Sequence, residues 1–266
     1  MENTTINKKS KAWVVKSICL SAIVIAFVAL VTSMIIRYKS SDGLSKIERE
    51  CFNEVTMLYN ENIATEYTPV DSTNSYEMVV RDTSKHLRMV ENEIVASNFK
   101  YKELDSSNEL YKNQMTLTYS GLSGIKNIYT IWFNREDDIF DGAIKLDDNN
   151  VASFSFQKTE EGYQTTMTGG NEAYTYSLSY ESKVYTFTRT KVANGGVTIY
   201  SYKDGKLTFD EDKVYSFGLN GTSINVTMTD STETYVCNVT LITKDSKYMY
   251  EYTFLNSGNN KYDVVR

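Results

Sequence analysis

The chain has 266 residues and a net charge of −6, with one His, one Pro, three Cys and 21 Tyr. The first 39 residues hold six of its 28 basic groups and one of its 34 acidic groups, which leaves the remainder with 22 basic against 33 acidic. So acidic a body is repelled by phosphate backbones, which argues against a nucleic-acid partner. A single His excludes metal sites built on several imidazoles and any catalytic triad not centred on that residue.

Residues 1–15 read as a short cytoplasmic tail, and 16–38 as a membrane-spanning signal-anchor helix. From Ile18 to Ile36 run 19 residues without a charge, which at about 1.5 Å per residue nearly matches a hydrocarbon layer about 30 Å thick. Ile18, Leu20, Ile23, Val24, Ile25, Phe27, Leu30, Ile35 and Ile36 supply the lipid-facing bulk. Trp13 and Tyr38 flank the run where amphipathic rings prefer the headgroups. A cleaved signal peptide is the rival reading, with small residues at Val31-Thr32-Ser33. The apolar run outlasts an ordinary signal core, however, continuing through Met34, Ile35 and Ile36. Four Lys precede the segment, and only Arg37 and Lys39 follow it closely. That bias places the N-terminus in the cytoplasm and the larger part outside, on a single-pass protein of the cell membrane.

Residues 41–67 read as an amphipathic stalk helix. Ser45-Lys46-Ile47-Glu48 fits a capping box, and Leu44, Ile47, Cys51, Val55 and Leu58 form an apolar stripe with Glu48, Glu50, Glu54 and Glu61 on other positions. Pro69 ends the helix at or before Thr68. The stripe either packs on the domain that follows, the preferred reading, or pairs with a second copy as a short coiled coil.

From residue 70 to 266 the pattern is mostly of period two. Tyr174, Tyr176, Leu178 and Tyr180 share one face, as do Tyr235, Cys237, Val239 and Leu241, and Tyr248, Tyr250, Tyr252 and Phe254. Asn194-Gly195, Asp204-Gly205 and Asn220-Gly221 supply hairpin turns, with weaker signals at Gly169-Gly170-Asn171 and Ser257-Gly258-Asn259. Tyr76–Arg81, Ile94–Lys102 and Gln114–Ser120 also read as strands, while 85–95 suits either period. The expectation is an all-β extracytoplasmic domain, an antiparallel meander, sandwich or open barrel of about 10–14 strands.

No catalytic constellation stands out. His86 sits in a polar stretch and reads as a surface residue rather than a general base. Ser-x-x-Lys occurs at Ser97/Lys100, Ser123/Lys126 and Ser155/Lys158 without the partner motifs that give it meaning. Glu136-Asp137-Asp138 with Asp141, Asp147-Asp148 and Asp210-Glu211-Asp212 offer oxygen ligands for Ca²⁺, but solvated hairpin tips explain them better. No metal or cofactor is expected. Cys51 and Cys237 admit two readings, a disulfide tying the stalk helix to a late strand or two buried thiols. The Tyr rows are read as cross-strand stabilising pairs in preference to an exposed binding surface.

The functional expectation is a non-catalytic, membrane-anchored binding or assembly module for a protein or a surface polymer. A lipid- or lipoprotein-carrier-like domain with an apolar trough is the first alternative, and a tethered hydrolase using paired carboxylates the second.

Overall fold

The computed structural model describes residues 43–94, 99–147, 149–209, 213–229, 233–255 and 260–266. The expected anchor with Trp13 and Tyr38, the acidic run 210–212 and the turn at 257–259 lie outside them. Among the described residues no helix is long and apolar enough to cross a membrane.

Alternating residues make the bulk of the chain a sheet. Its strands are β1 (Lys100–Asp105), β2 (Asn113–Ser120), β3 (Lys126–Glu136), β4 (Ile139–Leu146), β5 (Ala152–Lys158), β6 (Gly162–Gly169), β7 (Tyr174–Glu181) and β8 (Val184–Lys191). They continue as β9 (Val197–Lys203), β10 (Lys206–Thr208), β11 (Val214–Asn220), β12 (Ser223–Thr229), β13 (Thr234–Lys244), β14 (Lys247–Phe254) and β15 (Lys261–Val265). Each strand pairs antiparallel with the next, so the fifteen form one open meander. The all-β expectation therefore holds in its coarse form: of meander, sandwich and open barrel the described residues form the meander, with more strands than the 10–14 expected.

Turn chemistry sets the meander. Asp204 and Gly205 both adopt positive φ, 49° and 74°, the geometry of a two-residue hairpin loop. Ser182-Lys183 (51° and 66°) and Asp245-Ser246 (50° and 61°) do the same without glycine, so the sequence carries no turn signal there.

Among the described residues three helices precede the sheet: α1 (Lys46–Ile63), α2 (Ser75–Ser84) and α3 (Leu87–Ile94). Residues 76–81, expected as a strand, are helical. The Asn74 side chain caps α2 by accepting from the Tyr76 amide at 3.0 Å, and Val79, Val80 and Thr83 fall at helical spacing on its buried side. The helix expected within residues 41–67 forms over Lys46–Ile63. Eleven of its eighteen residues are buried, among them Glu54 and Glu61 as well as Cys51, Val55 and Leu58 of the apolar stripe, in keeping with the preferred reading that it packs on the domain that follows.

The helices fill the inner face of the sheet. Phe52 of α1 packs edge-on against Phe133 of β3, with ring centres 5.3 Å apart. Tyr76 of α2 meets Phe254 of β14 at 4.9 Å. Pleating separates the two faces cleanly. The inward row Phe156, Thr165, Leu178, Phe187 and Tyr200 crosses β5 to β9 and is buried throughout. One residue along, the outward row Ser155, Thr166, Ser177, Thr188 and Ile199 crosses the same strands and is largely hydroxylated. This is a single-layer sheet with water on one side and helices on the other.

Candidate functional site

The buried helices are unusually polar, and the sheet answers them with tyrosines. Tyr200 donates to Glu61 at 2.6 Å, Tyr250 to Glu91 at 2.7 Å, Tyr215 to Asp82 at 2.8 Å and Tyr129 to Asn60 at 2.9 Å. Tyr202 reaches Glu93 at 3.0 Å, and Tyr252 shares a bond with Thr83 at 3.0 Å. Each ring buries its carbon body against the sheet while its hydroxyl satisfies a helix side chain. Burial raises the pKa of Tyr129, Tyr200, Tyr202, Tyr250 and Tyr252 and so keeps them neutral donors, with Tyr129 pushed up to about 12. Tyr200, Tyr202, Tyr250 and Tyr252 thus serve the contact between sheet and helix, a role added to the cross-strand pairing expected of the Tyr rows, in which Tyr200 stacks on Phe187 of β8 at 5.1 Å and Tyr180 meets Tyr185 at 4.5 Å.

Three glutamates anchor this interior. Glu61 accepts from His86 Nδ1 at 2.8 Å as well as from Tyr200. His86 is fully buried against the rings of Tyr200 and Phe209, which corrects its reading as a surface residue. Burial lowers the His86 pKa below 6.5 despite the opposing pull of Glu61, so the imidazole is neutral. Its Nε2 is sealed from solvent without a partner. A carboxylate-oriented imidazole of this kind has no approach for a substrate, and no proton-transfer step follows from it.

Glu91 is the most heavily bonded. Its oxygens accept from the Leu122 amide at 2.8 Å, from Tyr250, and from Arg266 Nη2 at 3.1 Å, which also donates to Asn127 at 3.0 Å. This cluster ties α3 to the segment after β15 and to the β2–β3 connection. A Cβ on Gly121 would sit 2.0 Å from the Glu91 carboxylate, so only glycine lets the connection approach so closely. Glu54 is the least satisfied. Thr165 donates to it at 2.8 Å, Oε1 has no partner, and burial raises its pKa to about 8.

Beside the Glu91 cluster opens a cleft of about 580 Å³, lined by Arg88, residues 123–127, Leu146, Asp147, Asn149, Tyr248 and Arg266. Ser123 and Lys126, one of the Ser-x-x-Lys pairs, both line it. Ser123 nevertheless spends its hydroxyl on the Leu241 carbonyl at 3.4 Å and not on the lysine. A smaller pocket of about 100 Å³ lies at the C-terminal end of α1, among Glu61, Glu66, Lys85, Tyr174, Tyr176 and Arg189. There the Arg189 guanidinium stacks on the Tyr174 ring at 4.6 Å and lies 3.8 Å from Glu66.

Cys51 in α1 and Cys237 in β13 are free buried thiols, so no bridge joins them. The acidic residues Asp137 and Asp138 form the tip of the β3–β4 hairpin, where Asp138 faces Lys158 at 3.8 Å. Among the described residues no group of three or more His, Cys, Asp or Glu side chains is placed to hold a metal ion. The cleft residue Arg88 carried no sequence motif and was legible only as a basic position in the ambiguous stretch 85–95. The fold and its polar interior define a helix-filled, single-layer β-meander. No known protein family, curated protein or solved structure matches the chain.

Proposed function

We propose that this protein is a non-catalytic binding module held at the cell membrane by the 16–38 segment and displayed outside the cytoplasm, with the cleft beside Arg88 as its ligand site. The cleft is the observation that carries the reading. It is polar, open to solvent, and built from α3, the β2–β3 connection, β14 and the residue after β15. The interior supports the same view. The inner face of the sheet, where a lipid carrier keeps an open apolar trough, is packed with α1, α2 and α3. The buried carboxylates Glu61 and Glu91 are consumed by Tyr, His and Arg donors, and neither lines the larger cleft, which is why a hydrolase is not proposed.

Two measurements on the full chain test this. A cysteine placed at Val70, which is 92% exposed, should react with an impermeant maleimide in intact cells, while Cys51 and Cys237 stay silent because they are buried. The labelled protein should remain in the membrane pellet after alkaline carbonate extraction. A photoreactive residue at Tyr248 should then yield a discrete adduct in native membranes. Protection of position 70 in intact cells, or release by carbonate, refutes the tethered topology; absence of any adduct at Tyr248 refutes the cleft.

A further inference from the structure

We propose that the cleft holds an oxyanion, a phosphate or carboxylate group, on the guanidinium of Arg88. This rests on reading the cleft as the ligand site and names what the site recognises. Arg88 is the second residue of α3 and lines the cleft. Its Nε is sealed from solvent with no partner, and no other nitrogen of its fork makes a hydrogen bond or ion pair among the described residues. A guanidinium carries five N–H donors and is rarely left so empty when partly buried.

The reason is visible next door. Glu91 stands three residues on, where a helix would offer Arg88 an ion-pair partner. Both Glu91 oxygens are already committed to Leu122, Tyr250 and Arg266. Lys126 lines the same cleft without an ion pair among the described residues. Lys126 and Arg266 bring two further cationic side chains to the lining beside Arg88, with Asp147 opposite and Glu91 behind Arg266. A fork of donors beside a second cation matches the paired oxygens of a carboxylate or phosphate. The cleft exceeds a single ion in volume, and the half-exposed ring of Tyr248 offers a flat apolar face to the remainder of a larger ligand.

The test uses the full chain in nanodiscs of neutral lipid, so that lipid headgroups supply no competing charge. Inorganic phosphate, glycerol 3-phosphate and acetate are titrated against it by calorimetry, with sodium chloride at matched ionic strength as control. Saturable binding of at least one oxyanion and none of chloride is expected. Tighter binding of glycerol 3-phosphate than of phosphate would identify the group as part of a larger ligand, and equal binding would identify a free ion. Arg88→Gln should weaken binding about tenfold or more, and Arg88→Lys should not restore it, since a point charge lacks the fork. Should Arg88→Gln fail to fold, wild-type protein answers the question: bound anion should protect Arg88 from a dicarbonyl reagent, read by mass spectrometry. No saturable oxyanion binding, or unaltered affinity in Arg88→Gln, overturns the proposal. A Tyr248 adduct that persists in Arg88→Gln would then leave the binding-module reading standing without the anion.

Discussion

The carboxyl of Glu54 gives folding a pH dependence that one substitution should remove. The side chain is fully buried in α1, takes one hydrogen bond from Thr165, and has its pKa raised from 4.5 to about 8 by burial. The folded state therefore keeps its proton up to about pH 8, whereas the unfolded chain releases it near 4.5. Stability from this group is full below the unfolded value and falls as the pH rises. The loss ends once the folded form also ionises. Each pH unit in that window costs about 1.4 kcal/mol, so near pH ~7 the carboxyl costs on the order of 3 kcal/mol relative to acid solution. Urea denaturation of the full chain, followed by the near-ultraviolet circular dichroism of the packed tyrosines between about pH 4.5 and 9, reads the slope directly. Glu54→Gln keeps an acceptor for Thr165 without a charge to bury, and its stability should be nearly flat where the wild type declines. Comparing the two cancels the contribution of every other titrating group. Parallel curves for the two proteins would refute the reasoning.

Other consequences are equally open to measurement. Glu91→Gln or Arg266→Ala each breaks a buried ion pair and should cost about 3–5 kcal/mol in denaturant; a loss below about 1 kcal/mol would show that the pair is not sealed as drawn. Tyr200→Phe leaves Glu61 with His86 as its remaining donor and should cost about 1–3 kcal/mol by the same assay. The His86 imidazole should titrate by NMR with a midpoint below 6.5. Because the unfolded chain takes up that proton first, this residue removes stability as the pH falls below 6.5. Cys51 and Cys237, both pushed up by burial and the latter to about 12, should resist a thiol reagent until the protein unfolds; rapid labelling of the native state would contradict their burial.

The sheet was legible because its information is local. Alternation at Tyr174–Tyr180 and Tyr248–Phe254 states which face is inner, and Asn194-Gly195 and Asp204-Gly205 state where the chain reverses. Legibility ended where a residue's environment depends on distant partners. Tyr76–Arg81 carries β-formers such as Tyr76, Val79 and Val80, and only the Asn74 cap and contacts with β13, β14 and β15 make it helical. Ser182-Lys183 and Asp245-Ser246 turn without glycine because strand pairing on both sides imposes the positive φ. Glu54 and Glu61 resemble the wet side of an amphipathic helix, since nothing within α1 announces that Thr165 and Tyr200 will close over them. His86 looked like a surface residue for the same reason: its burial is decided by Glu61, Tyr200 and Phe209, from 25 to over a hundred positions away.

The tyrosine excess follows from the same physics. A single-layer sheet that encloses polar helices must satisfy helix side chains with groups borne on its inner face, and that face must also bury apolar area. Phe or Leu supplies area without a donor, and Ser or Thr a donor with little area; Tyr supplies both at the tip of a stiff ring. Tyr129, Tyr200, Tyr202, Tyr215, Tyr250 and Tyr252 each occupy an inward position and each ends on a helix side chain. Arg88 departs from that pattern. It is a helix side chain at the margin of the enclosure, and the neighbouring hydroxyl of Tyr250 is already bonded to Glu91 and Arg266. The tyrosines that serve the helices within the enclosure do not reach this guanidinium, which lines the cleft, where a partner from outside the chain can complete it.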